Sequence, residues 1–238
     1  MLDAWLDLVH GAACVGCGTP GRLWCRVCAA ELSHEPIPVR PTPCPPGLAP
    51  AFAAGEYADP LRALVVAHKE HRGFALCRPL GLVLAGVAAA AVDPRAATLL
   101  VPVPSRRAVV RARGHDPLLR LTRRAATTLR AGGHQATCVR LLRQRQQVAD
   151  QAGLDAENRA TNLAGSMVVD HRVAAGLARD GVPVRVVVCD DVLTTGATAR
   201  EAQRALEDRG VRVGAIACIA ATRRRWPTGN TADPVAPR

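Results

Sequence analysis

The stretch that decides the fold is VRVVVCDDVLTTGATAREAQRAL, residues 184–206. An apolar run from Val184 to Cys189 meets two adjacent acids, Asp190 and Asp191. Thr194, Thr195, Gly196, Ala197 and Thr198 follow, and then apolar positions recur at helical spacing. The β-branched run predicts a strand over 184–190. The periodic segment predicts a helix over 197–209, with Gly210 as its C-terminal cap. VRVGAIACIA, residues 211–220, predicts the next strand. Strand, crossover helix and strand make a right-handed βαβ unit, so the fold class is α/β with a parallel sheet.

The composition of the turn carries chemistry. In parallel sheets anions bind beyond the carboxyl ends of strands, where the next helix points free N–H groups at them. Gly196 permits close backbone approach, and the three threonines add hydroxyl donors. Two carboxylates beside a phosphate repel it unless they serve another part of the ligand. They can accept hydrogen bonds from vicinal hydroxyls or hold a divalent cation through water. The pattern describes a sugar phosphate. The chain contains no phosphate-loop motif G-x-x-x-x-G-K, and no dinucleotide fingerprint G-x-G-x-x-G follows a predicted strand.

Upstream, YADPLRALVVAHK predicts a helix opened by Asp59 and Pro60, with Leu61, Leu64, Val65 and His68 on one face. Residues 76–92 are nearly all apolar and predict a buried helix. TLLVPVP, 98–104, predicts a short strand ended by prolines. SRRAVVRARGHD, 105–116, reads as a basic loop, and Asp116-Pro117 then opens a helix with Leu118, Leu121, Ala125 and Leu129 inward. SMVVD, 166–170, is a weak strand. The Pro-rich segment 34–50 reads as a linker. The tail from Pro227 reads as disordered.

The 31 basic against 20 acidic residues give a net charge of +11, which favours polyanionic partners. All but one of the basic residues are arginine, and the exception is Lys69. An ammonium is a compact point charge that a guanidinium does not replace, which marks Lys69 as a candidate site residue. Of nine cysteines, Cys14-x-x-Cys17 and Cys25-x-x-Cys28 form two knuckles seven residues apart. Four thiolates at this spacing suit a structural zinc; two disulfides are the alternative. Cys77, Cys138, Cys189 and Cys218 lie in apolar stretches and read as core, and Cys44 stands apart. The N-terminus makes a poor signal peptide, and the 13-residue apolar run 80–92 is short of the roughly 20 a membrane span needs. A cytoplasmic protein with no membrane span is expected.

VVVCDDVLTTGAT resembles the signature of type I phosphoribosyltransferases, which bind 5-phosphoribosyl-1-pyrophosphate (PRPP). The paired cysteines, YADPLRALVVAHKEHRG, VPVPSRRAVVRARGHD and RQRQQVADQAGLDAENRATNLAGSM extend the resemblance to the ComF family, associated with competence and DNA uptake. It implies a cysteine module over 1–33, a linker over 34–50, a phosphoribosyltransferase-like domain over 51–226 and a tail over 227–238. It also implies that Asp190 and Asp191 hold the ribose hydroxyls and that Thr194 to Thr198 hold the 5′-phosphate. Mg²⁺ accompanies PRPP. RARGHD matches a basic loop that reads Arg-Gly-Phe-Asn in the family, with His115 and Asp116 in the last two places. Arg107, Arg111 and Arg113 are thereby expected at PRPP, Lys69 matches a family lysine before a glycine and is expected from its compact charge at the pyrophosphate, and Arg159 and Asn162 match a family pair of unassigned role. The acceptor is unspecified. A reading of another class is a single-stranded DNA-handling module that uses the PRPP fold for binding alone; the scarcity of aromatic residues argues against base stacking.

Overall fold

The computed structural model describes residues 13–32, 34–70, 74–93, 95–145, 165–170 and 183–222. Arg159, Asn162 and the tail 227–238 lie outside them. The central feature is a six-stranded sheet in the order β1-β2-β8-β7-β3-β4. Its strands are β1 (Ile37–Val39), β2 (Ala51–Glu56), β3 (Ala97–Pro102), β4 (Ala136–Cys138), β7 (Val184–Leu193) and β8 (Val213–Ala221). Only the β1–β2 pair is antiparallel; the other four pairings are parallel.

Alternation along the strands builds two cores. Val187 and Cys189 of β7 face one side, and Val186 and Val188 face the other. The first side is covered by α2 (Leu61–Glu70), α3 (Cys77–Ala89) and α5 (Pro117–Ala131). The second is covered by α6 (Ala197–Glu207) and a separate antiparallel hairpin of β5 (Leu142–Gln144) and β6 (Met167–Val169). Thus SMVVD forms its strand, but outside the main sheet. The hairpin is fixed to α6 by Glu201, whose carboxylate accepts the Met167 N–H at 2.9 Å and pairs with Arg204 at 2.7 Å.

The helices begin and end where their sequences say. Asp116 caps α5, its Oδ1 accepting the Leu119 N–H at 3.2 Å, with Pro117 in the first turn. Leu118, Leu121, Ala125 and Leu129 are buried, as are Leu61, Leu64, Val65 and His68 of α2. Past α6, Gly210 adopts φ +73°, and the Val211 N–H bonds back to the Leu206 carbonyl at 3.1 Å. α3 is apolar on nearly every side and is held against β2, β8 and α5. Three readings need correction. The basic segment after β3 is a seven-residue helix, α4 (Arg107–Arg113), rather than a loop. It buries no side chain, so no apolar stripe announced it. β7 does not stop at its acids but runs on to Leu193, because it keeps β8 as a partner there. Residues 34–50 contain β1 and bind α6: Gln203 accepts the Ala49 N–H at 2.9 Å and donates to the Gly47 carbonyl at 2.8 Å.

The N-terminal cysteine module carries one short helix, α1 (Arg26–Glu31), and rests on the first core through Val15, Leu23, Trp24 and Leu32. The chain leaving it crosses α3 at Gly86, where an added Cβ would stand 2.2 Å from the His34 carbonyl oxygen. Among the described residues no helix is long and apolar enough to cross a membrane. Gly86→Ala is expected to force the two segments apart and cost about 1–3 kcal/mol in chemical denaturation. Wild-type stability in that variant would show that the crossing bears no load.

Candidate functional site

The topology itself designates a crevice. From β3 the chain passes through α5 on one face and reaches β4 on the outer side. From β7 it passes through α6 on the opposite face and reaches β8 in the other direction. The two connections diverge, so the carboxyl ends of β3 and β7 form a switch point of the kind where open α/β sheets bind ligands.

Asp190 and Asp191 stand there. The last β3–β7 register pair is Pro102 with Cys189, and the Val103 N–H still bonds to the Cys189 carbonyl at 2.9 Å. One residue further, β7 has lost β3 as a neighbour while remaining paired to β8, with Asp190 opposite Cys218. A cavity of about 90 Å³ opens at this step, and its wall includes Lys69, Ser105, Arg113, Asp190 and Asp191. Four of the expected site residues therefore converge: both acids, the lone lysine from the last turn of α2, and Arg113 from the end of α4.

Their electrostatics are specific. Lys69 Nζ lies 2.7 Å from Asp191 Oδ2, with Asp191 17% and Lys69 30% exposed. Asp190 Oδ1 accepts the Asp191 backbone N–H at 2.9 Å. Burial and the neighbouring Asp191 charge push the Asp190 carboxyl from the ordinary 3.8 up to about 7, against a smaller lowering by that N–H and Lys69. The cavity thus holds one carboxylate compensated by an ammonium and one that is costly to ionise until hydroxyl donors or a cation reach it.

Arg107 and Arg111 do not line this cavity but the next one, of about 270 Å³, which shares the wall Val103-Pro104-Ser105. Thr194 and Thr195 are exposed at the end of β7, and Gly196 takes φ +73° to begin α6. Thr198 and Ala197 are half-buried in the first turn of that helix. This turn lines neither cavity. It is backed by the Pro-rich segment, so that a Cβ on Gly196 would meet Pro41 at 2.9 Å and Leu48 at 3.2 Å. Asp116 and His115 both make contacts within the fold. Asp116 caps α5 and accepts the Ser105 hydroxyl at 3.1 Å, while His115 packs edge-on against Phe74 at 4.8 Å. The sequence reading missed Ser105, which no motif distinguishes, and Arg140 and Arg143, before and within β5, which sit in a run already rich in arginine.

The four N-terminal cysteines form a cage. Their sulfurs all lie within 4.8 Å of one another, with Cys14–Cys28 at 3.8 Å and Cys17–Cys25 at 3.6 Å. These are not disulfides; all nine cysteines are free. A tetrahedron of Zn–S bonds of about 2.3 Å has edges of about 3.8 Å, so the cage fits a metal ion such as zinc. Backbone N–H groups of Cys25 and Cys28 already point at the Cys14 and Cys25 sulfurs at 3.4 Å. The Thr19 hydroxyl and N–H bring the Cys17 thiol down to about 6, whereas burial and the adjoining sulfurs push Cys28 up. Four thiolates cannot crowd this closely without a cation to offset them. The scattered Cys189 and Cys218 are core, Cys77 and Cys138 pack against it, and Cys44 lies half-buried in the Pro-rich segment.

Metal analysis of the protein prepared in reducing, zinc-containing buffer is expected to find one zinc per chain, lost in Cys25→Ser; a metal-free wild type would refute the cage. For Asp190, both folded and unfolded chains are protonated below about pH 4, so no cost arises there. As pH rises from 4 through 7 the unfolded chain ionises first, and the folded state loses stability. Asp190→Asn escapes that loss. It is expected to melt at the wild-type temperature at pH 4 and above it at pH 8, with about 4 kcal/mol as a ceiling that solvent screening lowers. Equal stability at pH 8 would mean that the carboxyl ionises freely. No protein-family model and no curated protein compared with the chain matches it.

Proposed function

We propose that the chain is a PRPP-binding protein of the ComF type, with the type I phosphoribosyltransferase fold, acting in the setting of DNA uptake that the family resemblance implies. In this reading it transfers the phosphoribosyl group to an acceptor and releases pyrophosphate. The observation that carries the reading is the convergence of Asp190, Asp191, Lys69 and Arg113 on one small cavity at the switch point, with the Gly196 turn following directly in the chain.

Each group has a task matched to its chemistry. Asp190 and Asp191 accept hydrogen bonds from the two ribose hydroxyls, which relieves the burial cost of Asp190. The turn Thr194-Thr195-Gly196-Ala197-Thr198 takes the 5′-phosphate with backbone N–H and hydroxyl donors. Lys69, paired with Asp191 in the resting chain, and Arg113 supply the positive charge that the departing pyrophosphate needs. In the transfer, a lone pair of the acceptor forms the bond to C1 of the ribose. The C1–O bond breaks, its electron pair leaves with pyrophosphate, and the acceptor's proton passes to solvent. Asp190 and Asp191 are the residues that would hold a Mg²⁺ brought in with PRPP, and that ion would supply further neutralisation of the leaving group. The chain supplies position and charge rather than a covalent nucleophile.

Mg²⁺-PRPP at about 100 times its dissociation constant stabilises the folded state by about 2.7 kcal/mol, a rise in melting temperature of roughly 5–10 °C for a chain of this size. Asp190→Asn combined with Asp191→Asn is expected to abolish that rise, measured against the variant's own unliganded melting point. A rise of wild-type size in the double variant would remove both acids from the site.

A further inference from the structure

The larger cavity next to the acids has a character of its own. Arg107 and Arg111 of α4 face it from one side, and Arg140 and Arg143, before and within β5, face it from the other. All four are exposed, and none forms an ion pair with a described residue. The one acid in the lining, Asp116, is already engaged by the Ser105 hydroxyl and the Leu119 N–H. Four exposed guanidinium groups around about 270 Å³ give the cavity a positive potential that attracts an anion. Pro102, Val103, Val110 and Leu142 give the wall an apolar part beside the polar Ser105 and Gln144. Gln144 closes it by donating from Nε2 to the Pro104 carbonyl at 3.0 Å, which ties β5 to the segment after β3. That segment, Val103-Pro104-Ser105, is the wall shared with the cavity of the acids.

We propose that this cavity is the acceptor subsite and that it selects a planar anion, an aromatic or heteroaromatic carboxylate. The proposal rests on the phosphoribosyl-transfer reading, because it takes the neighbouring acids to hold the ribose. A guanidinium forks onto a carboxylate with two parallel N–H bonds and stacks on a flat ring, which an ammonium does not do. Four such groups over an apolar floor match a molecule that is charged at one edge and flat and apolar elsewhere. The volume suits a ligand of about ten non-hydrogen atoms. The shared wall puts such a molecule directly beside the point where C1 of a ribose on Asp190 and Asp191 would stand. Among the arginines of this chain, Arg140 and Arg143 thereby acquire a binding role beside Arg107 and Arg111.

The test is calorimetric titration of the full, zinc-loaded chain with phthalate and benzoate as probes, benzamide as the neutral control, and inorganic pyrophosphate as competitor. Phthalate is expected to bind more tightly than benzoate, benzamide to bind not at all, and added salt to weaken both acids. Arg140→Ala and Arg143→Ala should each weaken phthalate about tenfold, the loss of one charge-assisted hydrogen bond, while leaving the melting temperature and the Mg²⁺-PRPP shift unchanged. Asp190→Asn with Asp191→Asn should bind phthalate as wild type does. Equal binding of benzamide, wild-type phthalate affinity in both arginine variants, or loss of phthalate in the double aspartate variant would each overturn the assignment. So would pyrophosphate displacing phthalate with an affinity that Arg143→Ala abolishes, since the cavity would then hold the leaving group. A normal Mg²⁺-PRPP shift together with no carboxylate binding would sink this inference alone; absence of both would sink the reading beneath it.

Discussion

β7 has to be buried on both faces at once, and the rest of the molecule is arranged to do it. Val187 is covered by α3 and α5 on one side, and Val186 and Val188 by α6 and the β5–β6 hairpin on the other. Each such side chain contributes about 1.5–3 kcal/mol by leaving water. The strand lies between β3 and β8, and it outlasts β3 by a few residues. That difference in length is what creates the site. Two carboxylates could not lie deeper in the strand, where both faces are apolar, nor would they be held rigidly in a free loop. Placed one step beyond the last β3 pairing, they are fixed by β8 on one edge and open on the other.

Where a signal in the sequence was strong, it was strong because a periodic face is buried. The valine run, the alternating small residues of β8 and the inward stripes of α2 and α5 all translate directly into the two cores. Asp116-Pro117 and Gly210 marked helix ends because their backbone chemistry is local. The cysteine cage was legible from spacing alone, since two knuckles brought close in sequence need little help to meet. The structure differs wherever pairing came from elsewhere in the chain. The acids interrupt the apolar run, but the backbone of β7 continues because β8 supplies its hydrogen bonds. α4 has no buried side chain, so its helix leaves no periodic trace. β1 and β5 are three residues long and show too little alternation to be read.

The site was half legible for the same reason. Asp190, Asp191 and Lys69 stood out by chemistry, but that Lys69 pairs with Asp191 depends on how α2 packs, which no motif encodes. Arg140 and Arg143 were invisible because one arginine looks like another in a chain that uses so many. Only the cavity separates those that face each other from those that merely solvate the surface.

The clasp of the Pro-rich segment on α6 has a consequence for the order in which the chain can assemble. Gln203 and Arg200 hold the backbone of residues 46–49 across separations of 154 to 156 positions. A ribosome delivers the proline-rich segment well before the helix that secures it. Closing so long a loop costs entropy that nothing repays until α6 has docked on its strands. Residues 46–49 must therefore wait for α6, and the backing of the Gly196 turn is completed only when that helix has docked.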